Sequence, residues 1–150
     1  MESLIALGAF ALAVAVIAWR ARGSTLSQLP LLPGESILFE EDGIEVTQDS
    51  RREARYPRCR VRVTTQRVIV AQKILRRDDH ALRFVFHVPS SGPTSLKGVY
   101  VTSHLQPQQI RLDLDHSRIE MPLGSSALTQ NQTVRFQTRR PEDWRARLRA

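Results

Sequence analysis

The alternation of apolar and polar residues predicts a mostly β domain from residue 33 onward. Arginines occupy every second position from 58 to 62, and Cys59, Val61 and Val63 lie between them or after them. A period of two is typical of a strand with one buried face. Residues 67–75 follow a short Thr65-Gln66 connection and are rich in β-branched side chains, which predicts the return strand of a hairpin. The same reasoning predicts further strands at 36–39, 44–47, 82–88, 96–102, 110–114, 118–121 and 133–137, with a polar loop at 49–57.

The pattern changes to a helix at the C-terminus, over residues 140–148. Pro141 suits a first helical turn, and the acidic residues Glu142 and Asp143 complement the positive end of a helix dipole. Trp144 and Leu148 are spaced four apart and form one apolar stripe. A helix this short is not stable alone, so Trp144 is predicted to pack on the sheet.

The N-terminus carries a run of uncharged, mostly apolar residues at 4–19. A helix over residues 3–19 would span about 25 Å, near the short end of the length that crosses a bilayer core. Glu2 precedes the run and Arg20 and Arg22 follow it, the reverse of the charge order in a secretory signal peptide. The run is therefore predicted to be a transmembrane anchor. A cleaved signal peptide and a buried helix of a soluble protein are the alternatives.

The predicted organisation is an anchor at 1–20, a linker at 21–31 and one domain at 32–150. The linker contains Gly23, Ser24, Ser27 and Pro30, which favour an exposed tether. The excess of positive charge after the anchor predicts a single-pass protein of the cell (inner) membrane, with its N-terminus outside and the domain in the cytoplasm.

Composition adds a strong positive charge and excludes a disulfide-stabilised fold. The chain carries 22 Lys and Arg against 15 Asp and Glu, a formal net charge of +7, and it has one cysteine. A basic surface attracts anionic lipid, nucleic acid or an acidic protein without choosing among them. Aromatic residues make up 6%, and the one candidate basic helix is the last, with Arg145, Arg147 and Arg149, so nucleic acid is not the expected partner.

Three segments resemble the pleckstrin-homology (PH) superfold, in particular GRAM and bacterial PH-like domains. The sequence LPGESIL at 32–38 is similar to the start of these domains, and VRVTTQRVIV at 61–70 is similar to their Thr- and Arg-containing hairpin. RFQT at 135–138, followed by PEDW at 141–144, resembles the last strand and the closing helix. The resemblance implies an α+β, mainly β fold: an antiparallel barrel or sandwich of about seven strands closed by a C-terminal helix, here preceded by one transmembrane helix.

The function that this resemblance implies is a non-catalytic binding or scaffold module, tethered at the cytoplasmic face of a membrane, with an unidentified protein partner. The alternative is binding of anionic lipid headgroups. Arg52, Arg60 and Arg62 resemble in spacing the basic residues of lipid-binding PH domains, and several arginines converging from a loop and a strand suit an anionic headgroup. An ordinary solvated strand face in an arginine-rich protein gives the same pattern.

No pattern predicts catalysis, a metal or a cofactor. The four histidines at 80, 87, 104 and 116 have no metal-ligand spacing, and nucleophile elbows, phosphate-binding Gly-rich loops and HExxH motifs are not found in the sequence. Cys59 lies between two arginines, which could lower its pKa, but its alternating neighbours favour a buried strand position. The protein is therefore predicted not to be an enzyme.

Overall fold

A computed structural model describes residues 25–49, 52–88, 101–123 and 132–150. These residues form eight strands, two short 3-10 turns at Leu26–Gln28 and Pro107–Gln109, and one α-helix, α1 (Pro141–Arg149). The strands are β1 (Ile37–Asp49), β2 (Ala54–Thr64), β3 (Arg67–Lys73), β4 (His80–His87), β5 (Val101–His104), β6 (Arg111–Asp113), β7 (Arg118–Pro122) and β8 (Thr133–Gln137).

The strands form one mixed sheet in the order β5-β4-β3-β2-β1-β8-β7-β6. All neighbours are antiparallel except β4 and β5, which are parallel, with Phe84 opposite Val101 and His87 opposite His104. The long strand β1 is central, because its first part pairs with β2 and its end, from Val46 to Asp49, also pairs with β8. One strand therefore joins the two halves of the sheet.

The fold-class prediction is wrong in three respects. The described residues form eight strands instead of about seven, and the β4–β5 pair is parallel. Their hydrogen bonding gives a single sheet with edges at β5 and β6 in place of a closed antiparallel barrel or a two-sheet sandwich. Parallel pairing depends on where a connection returns to the sheet, which alternation along one strand does not reveal. The C-terminal helix is present.

The prediction of a membrane-spanning protein also requires correction. Within the described ranges, no helix is long and apolar enough to cross a membrane. The predicted anchor at 3–19 lies outside the described residues. The structure therefore gives no support to a transmembrane helix.

The main core lies on one face of the sheet and receives side chains from both halves. It includes Val61 and Val63 of β2, Phe84 and Phe86 of β4 and Phe136 of β8, all buried. A smaller apolar cluster on the opposite face consists of Leu26, Ile69, Ala71, Leu82 and Val85. Leu26, which the sequence analysis assigns to the linker, thus packs against β3 and β4, and these two strands are buried on both faces.

Helix α1 covers the end of the core through Trp144. Its indole is fully buried and lies edge-on to Phe39, with ring centroids 5.7 Å apart, and beside Phe136 at 5.8 Å. The indole nitrogen donates to the Glu41 carboxylate over 3.3 Å. The sequence prediction that Trp144 packs on the sheet is confirmed.

Candidate binding groove and the polar clusters around it

Two of the three arginines predicted to bind lipid are ion-paired in the structure. Arg60 and Arg62 share the outward face of β2, and each pairs with an acidic residue of β1. Arg60 donates from Nε and Nη2 to both oxygens of Asp42, at 2.7 and 2.9 Å, and Arg62 donates from Nε to Glu40. This arrangement is a ladder of ion pairs, and it neutralises the strand face that was predicted to attract an anion.

Arg52 lies outside the strand that carries the other two predicted residues. It precedes β2, which begins at Ala54, and it is exposed. Between Ala54 and Arg60 the strand is irregular, with a register shift against β1 and a positive φ at Arg58.

A groove of about 470 Å³ opens on another part of the surface, between β1, β8 and the turn that precedes β7. Its lining combines a stretch of β1 with the turn and with the end of β8 and the residues after it. The lining residues are Gly43, Ile44, Glu45, Thr47, His116, Ser117, Arg118, Arg135, Phe136, Gln137, Thr138 and Arg139. A second depression of about 440 Å³ lies among β6, β7, β8 and the 3-10 turn before β6.

Arginine dominates the charge of the 470 Å³ groove, with Arg118, Arg135 and Arg139 facing a single acidic lining residue, Glu45. Arg135 is held by Asp49 through Nη2. Arg118 makes looser ion pairs, at 3.6 Å to Asp113 and 3.3 Å to Glu120. The guanidinium of Arg139 has no acidic partner among the described residues. This site therefore has donor capacity that the fold does not use.

Gly43 shapes the β1 side of the groove. Its φ of +69° falls in the left-handed region, where a residue without a side chain is least strained, and the β1–β2 register shifts between Glu41 and Ile44. A Cβ at Gly43 would lie 3.9 Å from Nη2 of Arg139. The bulge lets β1 continue through the charged stretch 40–43, between the strand segments predicted at 36–39 and 44–47.

The sequence analysis missed Arg118, Arg135 and Arg139, because Arg118 lies on a different segment from the other two. A pattern for two of them is nonetheless present: residues 135, 137 and 139 alternate with the buried Phe136 and Thr138. Period two places Arg135, Gln137 and Arg139 on one outward face.

A buried ion pair between Glu35 and Arg67 lies at the turn between β2 and β3. Nε and Nη2 of Arg67 donate to the two carboxylate oxygens of Glu35, at 2.8 and 2.7 Å, and both side chains are at most 1% exposed. The Thr64 hydroxyl and the Leu32 N–H also donate to Glu35. Burial opposes ionisation of Glu35, but these hydrogen bonds outweigh it and lower its pKa.

Arg147 of α1 joins the helix to the same turn. Its Nε donates to the Thr64 carbonyl at 2.9 Å, and its Nη2 donates to the carbonyls of Thr65 and Val88 at 3.0 and 2.8 Å. Burial lowers the pKa of Arg147 from its ordinary value. The residues of the hairpin that resemble GRAM domains therefore hold the fold together.

Glu41 organises the start of α1 and has no cationic partner among the residues that the structure describes. Its carboxylate accepts hydrogen bonds of 2.7 Å from the Thr138 hydroxyl and from the Arg139 N–H, in addition to the Trp144 indole. The Thr138 hydroxyl also accepts the Arg140 N–H, at 2.9 Å, just before the helix begins at Pro141.

Two histidines stack beside the buried ion pair. The rings of His87 and His104 are 4.9 Å apart and nearly parallel, and Arg67 is the cross-strand neighbour of His87. Within the described ranges neither ring nitrogen of His87 has a hydrogen-bond partner. Burial, His104 and Arg67 together lower the pKa of His87 to about 4, against a smaller opposing effect of Glu35. His87 is therefore neutral in the fold at pH 7.

We expect the free energy of unfolding to fall by about 3 kcal/mol as the pH decreases from about 6.5 to 4, owing to His87 alone. The unfolded chain binds the proton near pH 6.5, whereas the folded chain does so only near pH 4, so acid favours unfolding in this window. Urea unfolding at several pH values measures the effect. The His87→Phe variant should lose this part of the pH dependence, and an unchanged profile in that variant would contradict the assignment.

Cys59 is buried in the core. Burial raises the pKa of its thiol to about 12, so the thiol remains protonated and a poor nucleophile at neutral pH. The prediction of a buried strand position is confirmed. Among the described residues, no three His, Cys, Asp or Glu side chains are grouped so that they could hold a metal ion.

Comparisons of the chain with protein-family models, with curated proteins and with solved structures found no match. The resemblance to GRAM and other PH-like domains therefore remains a prediction from the sequence.

Proposed function

We propose that this domain is a non-catalytic binding module that holds its ligand in the groove between β1, β8 and the turn before β7. The observation that carries the proposal is the guanidinium of Arg139, which lines a groove of about 470 Å³ and has no acidic partner among the described residues. Arginines elsewhere that are used by the fold have acidic partners, as in the pairs Glu35–Arg67 and Asp42–Arg60. A ligand is the remaining source of partners for the groove.

A tryptophan placed in the groove tests this proposal. The Gln137→Trp variant would fill the site, while Leu75→Trp places the same side chain at a position that is 72% exposed and outside the groove. Melting temperatures of the full chain would be measured with a panel of anionic and neutral small molecules. A compound at a large excess over its Kd should raise the melting temperature by several degrees.

We expect such a rise in the wild type and in Leu75→Trp, but not in Gln137→Trp. The proposal fails if no compound stabilises the wild type, or if stabilisation persists in Gln137→Trp. Chemical conversion of a bound compound would contradict the proposal that the module is non-catalytic.

The alternative function, binding of anionic lipid headgroups by Arg52, Arg60 and Arg62, draws support from the net charge of +7. A double variant that keeps the net charge constant distinguishes this function from general electrostatic attraction to an anionic surface. The double variant Asp42→Asn with Arg60→Gln removes one cation and one anion, so the net charge is unchanged. Because Arg60 is already paired, we expect this variant to sediment with anionic vesicles to the same extent as the wild type. A loss of several-fold would favour the headgroup function.

A further inference from the structure

We propose that the ligand of the groove is a phosphate monoester, with its phosphoryl oxygens on Arg118 and Arg139 and a hydroxyl-bearing body beside Glu45. The inference rests on the proposed binding function and names the chemical class of the ligand.

The two arginines retain donors that suit a phosphoryl group. Arg118 is held only loosely by its acidic neighbours: its buried Nε lies 3.3 Å from Glu120 without forming a hydrogen bond, and its Nη2 lies 3.6 Å from Asp113. Both contacts are longer than the 2.7 Å contact between Arg60 and Asp42. Arg139 has a whole guanidinium available. Guanidinium groups pair with phosphate through two parallel hydrogen bonds, so each arginine can bind two oxygens.

Neutral donors complete the anion side of the groove. Gln137 is exposed on the same face as Arg139, and Ser117 adjoins Arg118 in the turn before β7. An amide and a hydroxyl can each donate to a phosphoryl oxygen. A phosphoryl group presents three terminal oxygens, so it can use donors from several directions, whereas a carboxylate presents two.

Glu45 selects against a ligand that is only an anion. It is exposed and is the one acidic residue of the groove lining, and its charge repels a phosphate that approaches without other contacts. An ionised carboxylate accepts hydrogen bonds and donates none. A hydroxyl on the organic part of the ligand would satisfy Glu45, and this favours a phosphorylated polyol over inorganic phosphate.

Isothermal titration of the full chain with glycerol 3-phosphate, glycerol and inorganic phosphate tests the assignment. We expect glycerol 3-phosphate to bind more tightly than inorganic phosphate, and glycerol not to bind measurably. The Arg139→Gln variant should bind glycerol 3-phosphate about tenfold or more weakly than the wild type, because a hydrogen bond to a charged group is lost. Arg77→Gln, an exposed arginine outside the groove, is the matched control and should change the affinity less than twofold.

Glu45→Gln provides a second, independent readout. The variant should bind inorganic phosphate several-fold more tightly than the wild type does, because the repulsion from Glu45 is removed. The ratio of the affinities for glycerol 3-phosphate and inorganic phosphate should therefore decrease. Equal binding of both phosphates by the wild type, or no effect of Arg139→Gln, overturns the inference. Neutral compounds that bind in the groove while both phosphates fail would leave the proposed binding function intact and refute the phosphate assignment alone.

A phosphate monoester can be free in solution or the headgroup of a lipid, and the two sources are distinguishable. Vesicles containing phosphatidic acid would be compared with vesicles containing phosphatidylglycerol at equal surface charge. Preferential sedimentation with phosphatidic acid, lost in Arg139→Gln, would indicate a lipid source. Binding of glycerol 3-phosphate without any preference between the vesicles would indicate a soluble ligand.

Discussion

Replacing Trp144 by alanine is expected to lower the free energy of unfolding by about 3–5 kcal/mol, the range for large aromatic residues removed from a core. The indole is fully buried between Phe39 and Phe136, and its N–H is one of three donors to the buried Glu41. The variant loses the packing and leaves the carboxylate with fewer partners. Domains of this size have a total stability of about 5–15 kcal/mol, so the variant should be marginally folded.

Urea unfolding followed by circular dichroism measures this change. Arg145→Ala is the matched control, since it alters the next residue of the same helix and its side chain is 42% exposed. The control should stay within about 0.5 kcal/mol of the wild type, as surface substitutions usually do. Trp144→Phe should fall between the two, because it keeps a ring but loses the hydrogen bond to Glu41. A Trp144→Ala variant as stable as the control would mean that α1 does not close the core.

The sequence predicted those elements whose evidence is local. The bounds predicted for β8, 133–137, agree with the structure, and those of β3 and α1 agree within two residues. Strand β2 begins four residues earlier than predicted, inside the predicted loop at 49–57. In each, a period of two or a capped helical stripe decides the structure within about ten residues. The burial of Trp144 followed from the same logic, because a nine-residue helix needs the sheet to be stable.

Features that depend on distant segments were not predicted. Arg60 and Arg62 looked like an anion-binding face, but their partners Asp42 and Glu40 lie on β1, in a charged stretch that resembles a break. Only the bulge at Gly43 and the pairing of β1 with β2 bring these charges together. The groove is a similar case, since it combines residues 43–47, 116–118 and 135–139. Alternation identifies the outward face of a strand but does not identify its neighbours.

Removal of Arg67 is the second change with a large expected effect. Arg67→Met should lower the free energy of unfolding by about 3–5 kcal/mol, because the carboxylate of Glu35 would be left buried without its cation. The double variant Glu35→Leu with Arg67→Met replaces the pair by apolar side chains. It should be more stable than Arg67→Met alone, since no unpaired charge remains in the interior. A double-mutant cycle on urea midpoints measures the coupling.

The pH dependence of the Arg67→Met variant distinguishes a lost charge partner from lost packing. In the wild type the pKa of Glu35 is lowered, so its contribution is present above the ordinary carboxyl range, near 4.5, and is lost as the pH falls. Without Arg67, burial should raise the pKa of Glu35 in the fold above its unfolded value. The destabilisation relative to the wild type should then shrink as the pH falls from 7 to 4.5, because protonation removes the buried charge. A destabilisation that does not change with pH would assign the effect to packing, and would imply that the pair contributes little through its charge.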